Sequence, residues 1–555
     1  MHFIRLPLQF RNLPLVCVLV LTAVFAWLAQ TNLWFALPLI LASALSALGI
    51  RDLLQPRHSI LRNYPISAHL RFLFEEIRPE IRQYFLEADT DGVPFSRIKR
   101  TVVYQRAKGT LDKRPFGTHY NVNLPPFEWL NHSIAAKEPN PEPFRIEIGG
   151  HACTKPYSGS IFNISGMSFG ALSSNAILAL NSGAKKGNFA HDTGEGGISR
   201  YHREHGGDLI MQIGSGYYGC RSDDGQFSPE RFAAQATLDQ VKLIEIKLSQ
   251  GAKPGHGGVL PGAKVIGDVA IARGVPPGTE CVSPPCHSAF STPIEMMHFI
   301  QKLRVLSGGK PVGFKLCVGN PTEILSICKA MLETDIQPDF IVVDGAEGGT
   351  GAAPIEFLDH VGMPLRDGLS FVNNALIGCG LRDHIKIGAA GKITSAFDMA
   401  RVMALGADWC NAARGFMFAI GCIQAQSCHT GSCPTGVATQ DPTRQRALVV
   451  VNKAERVYRF HLSTTKSLAE VIGAIGLDHP SQIQPQHMSR RITADRVLTY
   501  DQIYPRLQPG ELLEGTTDTR FKAAWEMASA DSFGGAPAPQ TKAPSVIPTA
   551  VVTSS

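Results

Sequence analysis

Three cysteines lie close together in GCIQAQSCHTGSCPTGVATQ (421–440): Cys422, Cys428 and Cys433, spaced C-x5-C-x4-C. Thiolates gathered on one loop suit a metal or a cluster better than a disulfide in a reducing compartment. All-thiolate clusters usually take four cysteines. Three would suit a three-iron cluster, or zinc completed by His429, or simply three buried thiols. The other nine cysteines are scattered. Lys315 closes an apolar run, VGFKL, where an ammonium can stabilise the reduced, anionic edge of a bound cofactor. Lys253 sits in GAKPGHGG (251–258), a glycine-rich loop in which it could hold a substrate carboxylate as a point charge. Glu195, between glycines in TGEGG (193–197), could position a polar cofactor group or move a proton. Gly388, Gly391 and Gly415 mark turns where backbone N–H groups can approach an anion, and Arg414 adds a cation beside them. GSGYYG (214–219) fits G-x-G-x-x-G literally, but no helix opens inside it and a polar loop follows. It therefore predicts no dinucleotide site.

These residues need a frame. Between about 160 and 420, eight short apolar runs begin at Ile161, Phe189, Leu209, Leu243, Val312, Phe340, Ile385 and Trp409. Helical patterns intervene, clearest at 229–240, 321–333 and 395–406. Strands alternating with helices mean a parallel sheet, and eight such units mean a closed α/β barrel, a (β/α)8 TIM barrel. A doubly wound open sheet is the alternative. In a barrel the chemistry lies where strands end, and the glycine-rich loops fall there.

Taken in order, SGMSFGALS (165–173), TGEGG (193–197), SQGAKPGHGGVLPGAKV (249–265), SPPCHS (283–288), VGFKL (312–316), GAEGGTGAAP (345–354) and CHTGSCPTGVATQ (428–440) resemble the FMN-binding synthase domain of glutamate synthase. The resemblance runs from about 160 to 480, more than half of the chain. It implies a (β/α)8 barrel with FMN at the strand C-termini and a [3Fe–4S] cluster on Cys422, Cys428 and Cys433. It implies cofactor contacts at Met167, Ser168, Gly170, Ala171, Glu195, Gln212, Lys315 and Gly349, with the phosphate near Gly391, Arg414 and Gly415. Lys253 matches the lysine that holds 2-oxoglutarate, and Glu195 and Lys253 become the catalytic candidates. The implied reaction reduces 2-iminoglutarate, formed from 2-oxoglutarate and ammonia, to L-glutamate, an oxidoreduction of the CH–NH2 class.

The departures from the family pattern are specific. Where the family reads KPGEGGQLPG, this chain reads KPGHGGVLPG: His256 replaces a glutamate and Val259 a glutamine assigned to the substrate. Losing a buried amide leaves its partners short by about 1–3 kcal/mol. The chain opens Met1-His2 and runs into apolar sequence, so no glutamine-hydrolysing domain is expected, nor the large C-terminal β-helical domain. Two alternatives follow: a related FMN oxidoreductase acting on another 2-oxo, 2-hydroxy or amino acid, or an electron-transfer subunit of a membrane complex. Expected partners are the small-molecule substrates, and an electron donor such as ferredoxin or a separate glutaminase subunit.

The rest of the chain frames this domain. Leu13–Ala29 and Leu33–Ile50 carry no charge, and each would span about 26 Å as a helix. Arg5, Arg11, Arg51 and Arg57 flank them, which predicts a transmembrane helical hairpin with both ends cytoplasmic. A signal peptide lacks its cleavage site here, and core helices would show a polar face. The expected location is the inner (cytoplasmic) membrane, with the catalytic domain facing the cytoplasm. The hairpin (1–51) would be followed by an arm (52–130) with a mixed-charge helix at 69–87 and a basic, loop-like remainder. The barrel with its cysteine loop would occupy 131–485, a C-terminal extension 486–530 and a disordered tail 531–555. The 555 residues carry 44% hydrophobic and only 18% charged residues, against roughly 25% charged in soluble domains. Fifty-three glycines and 37 prolines exclude a helical bundle, and a net charge of +6 predicts no nucleic-acid partner.

Overall fold

The computed structural model describes residues 10–56 and 58–535. Arg5, Arg57 and the tail beyond residue 535 lie outside the described residues, and with them part of the expected basic flanks. The described chain divides into two compact units between Arg97 and Ile98.

In the first unit, helices α1 (Leu13–Ala29) and α2 (Ala36–Leu54) pack on one another. Their contact is made by small residues: Gly49 faces Leu15, and Thr22 Oγ1 lies 2.9 Å from Ser46 Oγ. Their outer faces are apolar and exposed at Val20, Trp27, Leu37, Ile40 and Leu41. Among the described residues, one helix, Leu33–Leu54, is long and apolar enough to cross a membrane; Leu13–Ala29, at 17 residues, is shorter. Buried Asp52 then accepts from His69 (2.9 Å) and from the Ile66 amide, which seats helix α3 (Ser67–Ile81).

The second unit opens with helix α4 (Arg97–Lys108), where the sequence suggested a loop. Its charges mask an apolar stripe: Ile98, Val103 and Ala107 are buried. Arg106 donates to Thr464 and Ser467, which ties this helix to the barrel unit. Strand Glu128–Leu130 pairs antiparallel with Met488–Arg491, which in turn pairs with Val497–Thr499.

The eight expected strands close into a parallel barrel. They are β1 (Phe162–Ile164), β2 (His191–Asp192), β3 (Leu209–Ile213), β4 (Val241–Lys247), β5 (Val312–Leu316), β6 (Phe340–Asp344), β7 (Lys386–Ala390) and β8 (Trp409–Ala412), with β8 returning to β1. The intervening helices include α5 (Ser174–Gly187), α6 (Pro229–Ala236), α7 (Pro293–Leu306), α8 (Pro321–Thr334), α9 (Leu365–Gly378), α10 (Ala396–Ala404) and α11 (Arg414–Ala419). The long α12 (Val450–Ala474) packs against α5.

Alternate residues along each strand share a face. One face fills the barrel floor with Ala190, Ile210, Leu243, Phe340, Val342, Ala390 and Trp409. Bulk is matched by absence of bulk: a Cβ on Gly388 would lie 2.6 Å from the Trp409 ring, and one on Gly313 would lie 2.6 Å from the Phe340 ring. The antiparallel hairpin Arg145–Ile148/Tyr157–Ser160 adds Ile148 and Tyr157 to the same cluster. Further along the same faces the residues turn polar: Asp192 after Ala190, Gln212 after Ile210, Glu245 and Lys247 after Leu243, Asp344 after Val342. The polar ends mark the mouth.

Candidate functional site

The loops at the strand C-termini bring most of the expected residues together. Met167, Ser168, Gly170 and Ala171 form the loop after β1. The β2 loop lies directly on it: a Cβ on Gly194 (φ 65°) would lie 2.6 Å from the Ser168 amide nitrogen. Only glycine permits that approach. Lys315 Nζ, on β5, is 3.3 Å from Ser165 Oγ and 3.5 Å from Asp344 Oδ2. Burial works against its charge, but Asp344, Glu245 and Asp192 outweigh burial and hold its pKa above the usual lysine value. Gln212, on β3, donates through Nε2 to Glu245 Oε1 at 2.7 Å and to Asp192 Oδ2 at 3.2 Å.

Glu195 and Lys253 share a corner with a residue that the sequence reading passed over, Lys247. Lys247 Nζ pairs with Glu195 Oε1 at 2.9 Å, and Ser283 Oγ lies 3.5 Å from the other carboxylate oxygen. Burial pushes the Glu195 carboxyl up, yet Lys247, with Arg273 and Lys253 nearby, overrides it and holds the group below the usual carboxylate range. Lys253 is buried, 5% exposed. Burial and then Lys247 pull its ammonium below the usual lysine value, with Glu195 opposing. Two ammonium groups and one carboxylate leave a net positive corner, which suits an anionic ligand. The signal for Lys247 was available: in LIEIK the charges recur every second residue and so share the inward face.

The glycines after β7 and β8 behave differently from expectation. Gly391 (φ 150°) and Lys392 (φ 50°) take the chain sharply out of β7 through positive φ values. However, the helix after β7, α10, does not present a free positive end. Asp398 occupies it, accepting from the Thr394 amide (3.1 Å), Thr394 Oγ1 (3.1 Å) and Ser395 Oγ (3.0 Å). The positive charge comes from side chains instead. Burial and then Arg414 lower the pKa of Lys392, and burial brings Arg414 down to about 10 against the pull of Asp344 and Glu347. Arg414 Nη2 donates to the Glu347 carbonyl at 2.7 Å and lies over Gly349. Gly415 follows it at the start of α11. Two half-buried cations near one another are a donor set that suits a phosphate.

The cysteine loop follows α11. Among the described residues, no group of three His, Cys, Asp or Glu side chains converges closely enough to hold a metal ion. The three thiols nonetheless share one neighbourhood: burial pushes Cys422 up to about 12, with Cys428 and Cys433 adding to it. Hydrogen-bond donors are aimed at sulfur. The Gln424 amide donates to Cys422 Sγ at 3.4 Å. The Thr435 hydroxyl and the amides of Ala438, Thr435 and Val437 overcome burial and lower the pKa of Cys433. N–H groups directed at thiolates are a means of tuning an iron–sulfur site. Lys264 Nζ donates to the Cys428 carbonyl at 2.9 Å, and Tyr104 of α4 donates to the Cys422 carbonyl at 2.7 Å.

The substituted substrate loop lies beside this. Val259 belongs to a two-residue strand paired with Cys281–Val282 and is 37% exposed. His256 is held through Nδ1 to the Gly257 carbonyl (2.8 Å), with its ring on Phe357.

Comparison with known proteins agrees with this geometry. Residues 140–478 match the family described as the conserved region in glutamate synthase. The glutamate synthase large subunit-like protein YerD of Bacillus subtilis (strain 168) is 39% identical over 495 residues, covering 82% of this chain and 94% of that protein. The archaeal-type glutamate synthase (NADPH) of Thermotoga neapolitana is 33% identical over 313 residues, covering 56% of this chain and 58% of its own length. The archaeal glutamate synthase (NADPH) of Methanocaldococcus jannaschii is 34% identical over 316 residues, covering 57% and 59%. The chain thus spans nearly all of the first relative but under two thirds of the other two. The chain belongs to the glutamate synthase family, and it is accordingly an oxidoreductase of the class acting on CH–NH2 donors.

Proposed function

We propose that this protein is an FMN- and iron–sulfur-dependent oxidoreductase that reduces 2-iminoglutarate, formed from 2-oxoglutarate and ammonia, to L-glutamate. The observation that carries the reading is the corner formed by Glu195, Lys247 and Lys253 beside Lys315 and Gln212, at one mouth of the barrel. The residues present fit FMN. Lys392 and Arg414 would hold its phosphate, the 167–171 loop and Gln212 its ring, and Lys315 the edge that becomes electron-rich. When bound and reduced, FMN supplies hydride, and a [3Fe–4S] cluster on Cys422, Cys428 and Cys433 supplies electrons. The amides and hydroxyl directed at Cys422 and Cys433 are what supports the cluster assignment.

The chain's own residues do the rest. Lys253 and Lys247 hold the carboxylates of the 2-oxo acid as point charges. Glu195, kept ionised by Lys247, accepts a hydrogen bond from the incoming ammonium or iminium nitrogen. Loops packed as closely as Gly194 on Ser168 exclude water that would hydrolyse the imine. Ammonia would come from solution or from a separate glutaminase subunit, and electrons from a small carrier such as ferredoxin. Helix α2 would attach the enzyme to the inner membrane with the barrel on the cytoplasmic side. The exposed apolar flanks of α1 and α2 support this.

A second reading is favoured by one residue. Val259 offers no hydrogen bond where the family has an amide, so a different 2-oxo or amino acid is the alternative substrate. The test is anaerobic purification with flavin and iron analysis, followed by a panel of 2-oxo acids with ammonia, glutamine and methylamine. Turnover of 2-oxoglutarate with ammonia is expected. Turnover of another acid alone moves the assignment to the second reading, and protein without flavin or iron ends both.

A further inference from the structure

Beneath the corner just described, a group of ionisable side chains is closed inside the barrel. Asp192 ends β2, Glu245 lies on β4, Lys315 on β5 and Asp344 ends β6, with Gln212 on β3 between the first two. Asp192 is 1% and Glu245 0% exposed. The Gln212 amide nitrogen has two hydrogens and spends one on each carboxyl group. The Gly194 amide donates to the other oxygen of Asp192 at 2.9 Å. The Asp192 and Glu245 carboxyl groups are thus held on the same amide nitrogen, and Glu245 Oε2 is buried with no hydrogen-bond partner. Two buried carboxyl groups clamped on one amide nitrogen repel each other when both are ionised, which favours a proton on one of them.

The charge count agrees. Three carboxyl groups, of Asp192, Glu245 and Asp344, face Lys315, while Lys247 above them is engaged by Glu195. Asp344 also faces Arg414. With one proton on the Asp192–Glu245 pair, the three carboxyl groups facing Lys315 carry two negative charges instead of three; without it, the buried space carries a further carboxylate with no cation of its own, which is costly. Burial and then Asp192 push Glu245 up to about 8, with Lys315 and Gln212 opposing.

We propose that Asp192 and Glu245 hold one shared proton and act as positioning residues for Lys315, fixing the charge it presents at the ligand site. The pair uses Gln212 as a clamp, so the same amide that orients the carboxyl groups also borders the site. The consequence for the bound cofactor rests on the FMN reading; the shared proton does not.

The test has two arms, on the full chain and on the isosteric variants Glu245→Gln and Asp192→Asn. In the first, thermal unfolding is followed against pH. The folded protein holds this proton more tightly than the unfolded chain. The stability it contributes is therefore complete at low pH and lost as pH rises through about 8. Wild type minus Glu245→Gln should show a fall in Tm from about pH 5 to pH 8, together with loss in the variant of an infrared carbonyl band from a buried protonated carboxyl. A flat difference and an unchanged band overturn the shared proton. In the second arm, the flavin midpoint potential is followed against pH. A bend near pH 8 in the wild type, absent in either variant at equal flavin content, is expected; identical profiles overturn the positioning role. Protein that binds no flavin would sink the cofactor reading while leaving the first arm decisive.

Discussion

Asp398 shows how a single side chain can set a functional loop. It is buried at the start of α10, directly after the Gly391–Lys392 turn, and binds Lys99 and Arg401 (both 3.1 Å) besides its own helix cap. Burial pushes its carboxyl up, but these cations and the cap donors win and hold it at about 2. Its folded pKa is below the unfolded value, so the stability it contributes is present above about pH 4 and lost as pH falls through 2. Asp398→Asn should cost about 2 kcal/mol at pH 7 and show a smaller loss of stability on acidification, read by denaturant unfolding at several pH values. Lys253 belongs to the proposed substrate site instead. Lys253→Met should raise KM for the 2-oxo acid roughly 10- to 100-fold, about 1.5–3 kcal/mol, with flavin content unchanged by absorbance. Legibility at this scale was uneven. Glu195, Lys253 and Lys315 stand at loop starts and strand ends, where charge among glycines is conspicuous. Lys247, Lys392 and the Asp192–Glu245 pair are inward residues of strands or lie one step past a turn. Their roles depend on partners that only barrel closure brings near.

At the scale of elements, the barrel was the most legible part. Each strand expected from an apolar run lies within a few residues of an observed one, because a fully buried parallel strand is apolar on both faces and bounded by turns. Helix α4 was not legible, since basic residues on its outer side diluted the stripe of Ile98, Val103 and Ala107. The capped start of α10 carries a readable signal, Ser395 followed three residues later by Asp398 in the first turn of the helix. Packing between α5 and α12 rests on one small residue. A Cβ on Gly183 would lie 2.5 Å from Val457 Cγ1 and 2.7 Å from the Ala454 carbonyl. Gly183→Ala should therefore destabilise by about 1–3 kcal/mol, seen as a lower Tm.

For the whole molecule, the division between Arg97 and Ile98 matters more than any single boundary in the composition. Residues 98–130, which sequence assigned to an arm, contribute α4 and a strand paired with the C-terminal extension. If the proposed membrane attachment holds, removing residues 1–56 should shift the protein from the membrane fraction to the soluble fraction without changing its cofactor content per chain. Retention in the membrane fraction would mean that attachment lies elsewhere.

The filled floor has one further implication. Phe340, Trp409, Ile148 and Tyr157 stop one end of the barrel, so traffic has a single door. In the proposed reaction the 2-oxo acid, the nitrogen donor and the amino acid product would all pass the corner formed by Lys253 and Glu195. In that reaction, product held there would block the next substrate, so product release at the one mouth is the step to time against chemistry.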